Sequence, residues 1–488
     1  MKKYNIIFIH PPINYGSIHT TNAHTRRGNY IFIPMGVFAI ADLLEREGFS
    51  VKIINFPLEK FLNPEWNLTN FLKDLEFDIC AIDLHWIHNS YGAIYVSKVV
   101  KKINKNVKVI LGGYSASYYH TQILQYYRTI DGIIRGDGEI PFLEYARCNA
   151  KKEEFDSVPN LTYRDSSGKI KINPLSYSAK SLENLNFSNL SLMHNAEEYL
   201  KNSRKIMGIS YNVSIGRGCP FNCPFCAGGR EAQERMSCRK EVILRSPQKV
   251  VEDIVYIYNN YKIDNFFFGH GTYPETFNYW EKLFSIIRKE NINISADIEI
   301  WRLPFPKKMF QSFHKTFDNK KSSLSISPRT TSFSAQQKIA KLNDPTFIFK
   351  KSQIYKLIDN ANLFQIPLRI WLTIGFPFQN RREIIKDLLF AMECMVKYGK
   401  SKKSPISIMS EPYFIFPGSP VFQNPEKYGI RLKLTSFPEI VNAFKHSKIS
   451  FFYNLTNYDN EYFSGNLIRK LNILFFLIVA PMFLTTSS

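Results

Sequence analysis

The sequence has few cysteines, no long apolar run and fewer acidic than basic side chains. Its 488 residues include only 7 cysteines, a density too low for a small secreted domain held together by disulfide bonds. The longest apolar stretch, Ile473–Leu484, is shorter than the ~20 residues that span a bilayer, and Pro481 interrupts it. We therefore expect a buried terminal helix there. Peripheral membrane contact through residues 467–484, helped by Arg469 and Lys470, is the alternative.

The amino-terminal residues do not resemble a secretion signal. They begin with two lysines, but the apolar run is confined to Ile6–Ile9, which is too short for the apolar region of a signal peptide. We expect a first β-strand at this point. Free thiols are stable in a reducing compartment, so the sequence favours the cytoplasm.

Basic residues outnumber acidic ones, 63 to 42, which gives a formal net charge of +21. Such a surplus can indicate a nucleic acid or an anionic membrane as partner. The lysines are spread along the whole chain, however, and no continuous basic block with interleaved aromatic residues is present. The densest group, Lys397–Lys403, is typical of a solvated helix end. The composition therefore does not favour a nucleic-acid partner.

Three of the cysteines lie close together, with the spacing C-x-x-x-C-x-x-C at Cys219, Cys223 and Cys226. Three thiolates can hold a [4Fe–4S] cluster through three of its irons, whereas a cluster that only carries electrons is held by four ligands. The fourth iron would then be open to a substrate or cofactor. A zinc knuckle or a partial disulfide framework is the alternative. A zinc site usually has a second cysteine pair or histidines downstream, and Cys238 follows here without an H-x-x-x-H pair.

This loop resembles the cluster motif of the radical SAM superfamily, including the aromatic residue, Phe225, before the third cysteine. The resemblance implies that the open iron chelates the amino and carboxylate groups of S-adenosylmethionine (SAM). It also implies that one electron from the cluster cleaves SAM to a 5′-deoxyadenosyl radical, which abstracts a hydrogen atom from the substrate.

Residues 1–150 alternate short apolar runs with helical patterns. The order predicts a doubly wound, Rossmann-like parallel sheet, whose ligands bind beyond the carboxyl ends of the strands. The predicted strands are Ile6–Ile9, Val51–Asn55, Asp78–Leu84, Val107–Leu111 and Gly132–Arg135, and the predicted helices are Val37–Glu47, Tyr91–Ile103 and His120–Tyr127.

The loops of this region resemble the cobalamin-binding domain that precedes the radical SAM domain in one large subclass. The features that match are the Pro-Pro after the first strand, Pro34-Met35-Gly36, the Gly-Gly pair and Gly136-Asp137-Gly138-Glu139-Ile140-Pro141. Paired glycines let the backbone approach the nucleotide tail of the corrinoid without a Cβ clash. The resemblance implies cobalamin contacts by Pro11, Pro12, Asp83, Leu84, His85, Gly112, Gly113, Gly136, Asp137, Gly138 and Glu139.

A histidine ligand to cobalt is an open question. Many cobalamin domains carry a D-x-H-x-x-G sequence after the first strand, and this chain lacks it. Asp83-Leu84-His85 has the first half of that motif but follows a later strand. His10, His85 and His88 are the candidates, with ordinary loop packing as the alternative for each.

From residue 206 a second alternation of strands and helices begins, with the cysteine loop after its first strand. Six such units predict an open, partial (β/α)6 TIM-type barrel with its chemistry on the loops that follow the strands. Residues 151–205 are expected to be a linker with a hairpin at Leu161–Ile172, the barrel to cover residues 206–430, and residues 431–488 to be a helical extension of unknown role. The predicted strands are Ile209–Ile215, Asn265–Gly269, Ile294–Ile298, Ser323–Ser327, Leu368–Ile374 and Ile406–Ile415, and the predicted helices are Pro247–Tyr261, Pro274–Glu290, Pro306–His314, Phe349–Leu363 and Arg381–Tyr398.

The resemblance also implies contacts with SAM at the ends of the barrel strands. The departures from the family pattern are the missing acidic residue beside Gly269 and Arg329, which stands where relatives often have Glu. Arg239 and Arg245 are further candidates for binding a carboxylate or phosphate. The implied SAM contacts are Phe225, Gly269, His270, Gly271, Ser325, Ser327, Gly375 and Pro377.

The resemblance implies a cobalamin-dependent radical SAM enzyme that works with a one-electron donor of the flavodoxin or ferredoxin type. The first expectation is methyl transfer from methylcobalamin to an unactivated carbon of a small molecule or lipid. A non-methylating radical cyclase or rearrangement enzyme is the alternative, and a non-catalytic metal- or nucleic-acid-binding protein is a third. An RNA-methylthiolating enzyme would need three further cysteines near the amino terminus, where only Cys80 and Cys148 occur.

Overall fold

A computed structural model describes residues 2–19, 31–207, 211–398, 406–410, 413–447 and 456–479. Two parallel β-sheets dominate these residues, and each is flanked by helices.

The first sheet has seven strands, and the five that come first in the chain are parallel. They are β1 (Lys2–His10), β2 (Val51–Asn55), β3 (Leu75–Asp83), β4 (Lys108–Gly112), β5 (Gly132–Ile134), β6 (Leu161–Arg164) and β7 (Ile170–Ile172). Every side chain from Ile6 to His10 is buried, as expected for a parallel strand covered on both faces. The sheet order β2-β1-β3-β4-β5-β6-β7 reverses direction between β1 and β3, which opens a crevice at their carboxyl ends.

Helices cover both faces of this sheet, and the predicted doubly wound architecture is confirmed. The helices are α1 (Tyr15–His19), α2 (Met35–Arg46), α3 (Phe56–Leu62), α4 (Leu68–Lys73), α5 (Ser90–Ile103), α6 (Tyr114–Tyr118), α7 (His120–Tyr126) and α8 (Glu139–Lys151). Strands β6 and β7 form the predicted hairpin and extend the sheet antiparallel to β5. Its turn is fixed by Asp165, whose side chain accepts hydrogen bonds from the backbone N–H groups of Ser167 and Lys169.

The second sheet has six parallel strands, and a small antiparallel pair lies beside it. The strands are β8 (Tyr211–Val213), β9 (Gly216–Arg217), β10 (Ile243–Leu244), β11 (Asn265–Phe268), β12 (Ser295–Ile300), β13 (Ser323–Arg329), β14 (Leu368–Leu372) and β15 (Ile406–Ser410). The sheet order is β15-β14-β13-β12-β11-β8, with β9 and β10 forming the antiparallel pair. Sheet strands that follow one another in the chain are neighbours, so the predicted partial barrel is confirmed.

The helices of the second half pack mainly outside this sheet. They are α9 (Ala196–Met207), α10 (Arg230–Ser237), α11 (Pro247–Tyr261), α12 (Phe277–Lys289), α13 (Lys307–Thr316), α14 (Phe333–Leu342), α15 (Lys351–Leu363) and α16 (Arg381–Tyr398). Helix α11 shows why they form: Ser246 caps its first turn, Pro247 occupies its first position, and Val250, Ile254 and Ile257 are buried in the core.

The carboxyl-terminal part returns to both sheets. Its elements are α17 (Pro420–Gln423), β16 (Ile430–Leu432), α18 (Phe437–His446), β17 (Tyr458–Asn460) and α19 (Gly465–Val479). Helix α18 packs against α5 of the first half, and α19 packs against β15 and α16. Strands β16 and β17 pair antiparallel. No helix among the described ranges is long and apolar enough to cross a membrane.

The expectation of a buried terminal helix is only half correct. Ile468, Phe475 and Val479 of α19 are buried, but most of its apolar side chains point away from the protein. Consecutive apolar residues lie on all sides of a helix. Packing of α19 against β15 therefore covers only some of these side chains. Residues 480–484 of the predicted run lie outside the described residues. The exposed apolar side chains of α19 are Leu467, Ile473, Leu474, Phe476, Leu477 and Ile478.

Candidate functional site

A cavity of about 810 Å³ opens between the carboxyl ends of the two sheets. Both halves of the chain contribute to its walls, which are largely apolar with a few polar groups. The predicted site residues that line it are Cys219, Cys223, Phe225, Cys226, Gly269, His270 and Ser327 from the barrel and Asp83, His85, Gly112, Gly113, Gly136, Asp137, Gly138 and Glu139 from the first sheet.

Seven predicted contacts do not line this cavity. The carbonyl of Pro11 accepts a hydrogen bond from Asn89, and the carbonyl of Gly375 accepts one from the Tyr458 hydroxyl, so both serve loop packing. Leu84 is buried in the core, and Gly271 lies directly beneath the Trp301 ring. The seven are Pro11, Pro12, Leu84, Gly271, Ser325, Gly375 and Pro377.

The cysteine loop runs from β9 to α10 and is held by short backbone contacts. The Cys226 N–H donates to the Cys223 carbonyl at 3.1 Å, and the Gly228 N–H donates to the Cys226 Sγ at 3.3 Å. The Phe225 ring packs against other aromatic side chains at centroid distances of 5.6–5.8 Å. This packing fixes the loop between the second and third cysteines. The rings that surround Phe225 are Phe347, Phe376 and Tyr413.

The environment of the three thiols disfavours free thiolates. Burial and the neighbouring cysteines raise the pKa of Cys219 to about 12 and that of Cys226 to about 11. A bound iron–sulfur cluster would lower the pKa of these thiols, because its iron ions stabilise coordinated thiolates. Among the described residues no three Cys, His, Asp or Glu side chains are placed to hold one metal ion. A cubane cluster binds each thiolate at a different iron, so the donor set fits a cluster that three cysteines hold.

Arg302, which sequence reasoning missed, binds the cysteine loop from the barrel side. Its Nη2 group lies 3.3 Å from the Cys223 Sγ and 2.7 Å from Asp344 Oδ2. Asp344 Oδ2 also accepts from the backbone N–H of Asn222 at 3.2 Å. The pair therefore ties the loop to the end of β12. No spacing in the sequence indicates this contact, because Arg302 and Cys223 are far apart along the chain.

Beside the cysteines, the edge of the barrel presents polar groups that a ligand could satisfy. His270 is buried against Trp301 at a ring distance of 4.4 Å, and burial lowers its pKa to about 4, so the imidazole is neutral. Its ring nitrogens lie 3.3 Å from the carbonyls of Gly218 and Gly271. The Oδ1 of Asn212 is buried without a hydrogen-bond partner and its residue lines the cavity. Such an acceptor fits the ammonium or hydroxyl groups of SAM.

On the first-sheet side, His85 alone of the three candidate histidines lines the cavity. Its ring packs against Trp86 and Tyr114, and burial lowers its pKa to about 4. The Nδ1 of His10 instead contacts both oxygens of Asp83, at 3.0 and 2.9 Å. The ring of His88 packs among three phenylalanines, Phe414, Phe416 and Phe444.

An ion-pair network joins the two halves at the cavity wall. Arg217, immediately before the cysteine loop, forms ion pairs with Asp137 and Glu139 of the first-sheet loop, and Arg239 pairs with Asp137. The second carboxylate oxygen of Glu139, Oε2, is buried without a hydrogen-bond partner. Arg245 pairs with Asp253 at 2.7 Å. The suggestion that Arg239 and Arg245 bind a ligand is therefore wrong, because each pairs with a buried aspartate of the protein and neither lines the cavity.

Glycines allow loops to approach one another closely along the first-sheet wall. Gly113 has φ of 103°, and a Cβ at this position would lie 2.7 Å from the backbone of His85. Only glycine fits this approach of two loops. A Cβ at Gly136 would likewise lie 2.7 Å from Ser237, so these glycines permit close contacts between elements of the protein at the edge of the cavity.

Comparisons with known proteins agree with this architecture. A family model for the B12 binding domain matches residues 25–146. The solved structure of the radical S-adenosylmethionine methyltransferase TsrM from Kitasatospora setae, with cobalamin and a [4Fe–4S] cluster bound, superposes with a TM-score of 0.67 at 11% identity, covering 99% of this chain and 89% of that one. The fold is therefore that of a B12-binding domain followed by a radical SAM barrel.

Two curated relatives agree with this class. An uncharacterized methyltransferase of Pyrococcus horikoshii is 24% identical over 485 residues, which is 98% of this chain and 93% of the relative. The anaerobic magnesium-protoporphyrin IX monomethyl ester cyclase of Rubrivivax gelatinosus is 22% identical over 182 residues, 36% of this chain and 30% of the relative. The chain is thus similar over nearly its whole length to a methyltransferase and shares the fold of a cobalamin-binding radical SAM protein, so the resemblance stated from its motifs is confirmed.

Proposed function

We propose that this chain is a cobalamin-dependent radical SAM methyltransferase that acts on an unactivated carbon of a small molecule or lipid. One observation carries the proposal: the three cysteine thiols and the glycine-rich loops of the B12-binding domain open into the same cavity. A methyl carrier and a radical source must both reach one substrate atom, so a shared cavity with apolar walls is what the reaction requires.

Each wall of the cavity has a distinct part in this proposal. Cys219, Cys223 and Cys226 would hold the cluster. Asn212 Oδ1 and Glu139 Oε2, the two buried acceptors, would orient bound cofactor or substrate. When bound, the cluster supplies the electron that cleaves SAM, and cobalamin carries the methyl group. The apolar walls exclude water, which protects a reactive intermediate from quenching.

Two measurements test the proposal: the iron and sulfide content after cluster reconstitution, and the products formed from SAM. Anaerobic reconstitution of the wild type should give about four irons and four sulfides per chain, and replacement of Cys219, Cys223 or Cys226 by Ala should abolish this binding. Cys238→Ala is the matched control, since Cys238 lies outside the cavity lining. Methyl transfer yields both S-adenosylhomocysteine and 5′-deoxyadenosine. A stable zinc adduct without SAM cleavage would contradict the proposal in favour of a non-catalytic metal-binding protein.

A non-methylating radical cyclase is the second candidate, and the similarity to the Rubrivivax gelatinosus cyclase supports it. The same assay separates the two. Formation of 5′-deoxyadenosine without S-adenosylhomocysteine would exclude methyl transfer and support the cyclase.

The partners proposed for this enzyme are a one-electron donor of the flavodoxin or ferredoxin type and an anionic membrane surface. We place the enzyme in the cytoplasm, where free thiols and the cluster stay reduced. The membrane contact is supported by the exposed apolar side chains of α19, which has basic but no acidic residues. A lipid-like substrate would fit such a location.

A further inference from the structure

A buried arginine lies between a cluster cysteine and a buried carboxylate. We propose that Arg302 sets the reduction potential of the cluster through its hydrogen bond to the Cys223 sulfur. This inference rests on the proposed function, because it requires that Cys223 binds a [4Fe–4S] cluster. The juxtaposition is specific: one guanidinium nitrogen is within 3.3 Å of the thiol sulfur and 2.7 Å of the Asp344 carboxylate.

The guanidinium group cannot move away from this position without losing several contacts. Its Nε donates to the Thr346 hydroxyl at 3.0 Å, and its Nη1 donates to the Trp301 carbonyl at 2.7 Å. Its plane lies over the Phe221 ring, 4.0 Å from the centroid. Two further rings, Phe347 and Phe349, lie within 5.7 Å. Arg302 is only 7% exposed. Because contacts hold the planar guanidinium group on all sides, it is a fixed hydrogen-bond donor to the Cys223 sulfur.

The sign of the effect follows from charge. Reduction adds one electron, taken from the low-potential donor, and makes the cluster more negative. A cationic N–H donor to a ligating sulfur stabilises the more negative state, so it raises the reduction potential. The carboxylate of Asp344 opposes the positive charge of Arg302 but leaves the N–H···S bond in place. Arg302 therefore raises the potential, and Asp344 limits the rise.

The test is a potentiometric titration of the reconstituted protein, followed by the EPR signal of the reduced cluster. Arg302→Lys keeps the charge but loses the fork, and Arg302→Gln loses the charge. We expect both variants to keep the cluster and to shift the midpoint to more negative values. For Arg302→Gln the expected ratio of reduced to oxidised cluster at fixed potential is about tenfold lower, which corresponds to ~59 mV for a one-electron couple. Asp344→Asn should shift the midpoint in the opposite direction.

Arg245→Lys is the matched control. Arg245 is another buried arginine of the barrel paired with an aspartate, at 2.7 Å from Asp253, and it does not line the cavity. Its replacement should leave the midpoint unchanged. Midpoints of both Arg302 variants equal to that of the control would overturn the inference. Loss of the cluster from Arg302→Lys, or a negative shift of the midpoint in Asp344→Asn, would mean that Arg302 and Asp344 only hold the cysteine loop in place. If the wild type binds no cluster, the proposed function fails first.

Discussion

At the scale of single residues, the cavity depends on backbone that only glycine can adopt. Gly113 combines a positive φ with the close approach of the His85 backbone. Gly48 shares the positive φ, at 90°, but a Cβ added there would have no heavy atom within 4 Å. An added Cβ thus meets only backbone strain at Gly48, and meets both strain and a steric clash at Gly113.

Gly113→Ala should destabilise the protein more than Gly48→Ala. A positive φ strains an alanine at either position, by about 1–3 kcal/mol, and the clash with His85 should add about 1–3 kcal/mol at Gly113 alone. Chemical unfolding of the protein without cofactors gives the two free-energy differences. Equal losses in the two variants would show that the loops separate to admit a methyl group. Gly113→Ala should also weaken cobalamin binding, which absorbance titration measures.

The residues that we propose as cluster ligands form a recognisable pattern in the sequence, and the residues that position them do not. Cys219, Cys223 and Cys226 are close in the chain, so their spacing is a local signal. Arg302 and Asn212 reach the same cavity through tertiary contacts that no local pattern encodes. Ser325 and Gly375 were expected from the family resemblance, and they do not line the cavity: Ser325 lies within β13, and the Gly375 carbonyl accepts a hydrogen bond from Tyr458.

At the scale of elements, α18 docks on α5, and His88 lies at the junction. Its ring packs within 5.4–5.6 Å of Phe414, Phe416 and Phe444. Burial lowers the pKa of His88 to about 4. A histidine with a lowered pKa in the folded state takes up its proton more readily when unfolded. The junction therefore loses stability as the pH falls from about 6.5, the unfolded pKa, toward 4.

His88→Gln should remove part of this pH dependence. In the wild type the lowered pKa of His88 reduces the free energy of unfolding by about 3 kcal/mol at pH 4, since each unit of pKa shift is worth 1.36 kcal/mol. The measurement is the free energy of unfolding at pH 7.5 and at pH 4.5 for wild type and variant. Histidines elsewhere keep their own dependence, so only the difference between the two proteins is diagnostic. An unchanged difference would mean that the ring is solvated at this junction.

Several long helices were predicted well, and most of the helices that were missed are short. The predicted bounds of α11 and α16 agree with the structure. Helices α1, α3, α4, α6, α8, α9, α10, α14 and α17 were not predicted, and α8 and α9 are long ones among them. Most of these have about two turns or fewer, which gives too few apolar positions to establish a period. Their helical state depends on packing against the sheets.

At the scale of the whole molecule, two helices that contact each other both expose apolar side chains. Helix α16 contributes a stripe at intervals of four and three residues, and α19, which packs against it, contributes its outward side. The charged side chains of α19 are basic, and the net charge of the chain is +21. A second copy of the chain on this face would bring like charges together, whereas an anionic membrane would attract them. The stripe on α16 consists of Ile385, Leu389, Met392 and Val396.

Vesicle binding tests this assignment directly. The full-length protein should sediment with phosphatidylglycerol-containing vesicles and much less with phosphatidylcholine vesicles. Leu474→Glu combined with Leu477→Glu should weaken binding at least tenfold, because each leucine contributes about 1.5 kcal/mol or more when buried. Ile172→Glu with Leu62→Glu is the control, since these side chains are exposed on the first half of the chain. If the wild type instead forms a concentration-dependent dimer that the α19 variant loses, and vesicle binding is unchanged, a second copy covers this face. The exposed apolar surface would then serve assembly, and access of a lipid-like substrate to the cavity would need another route.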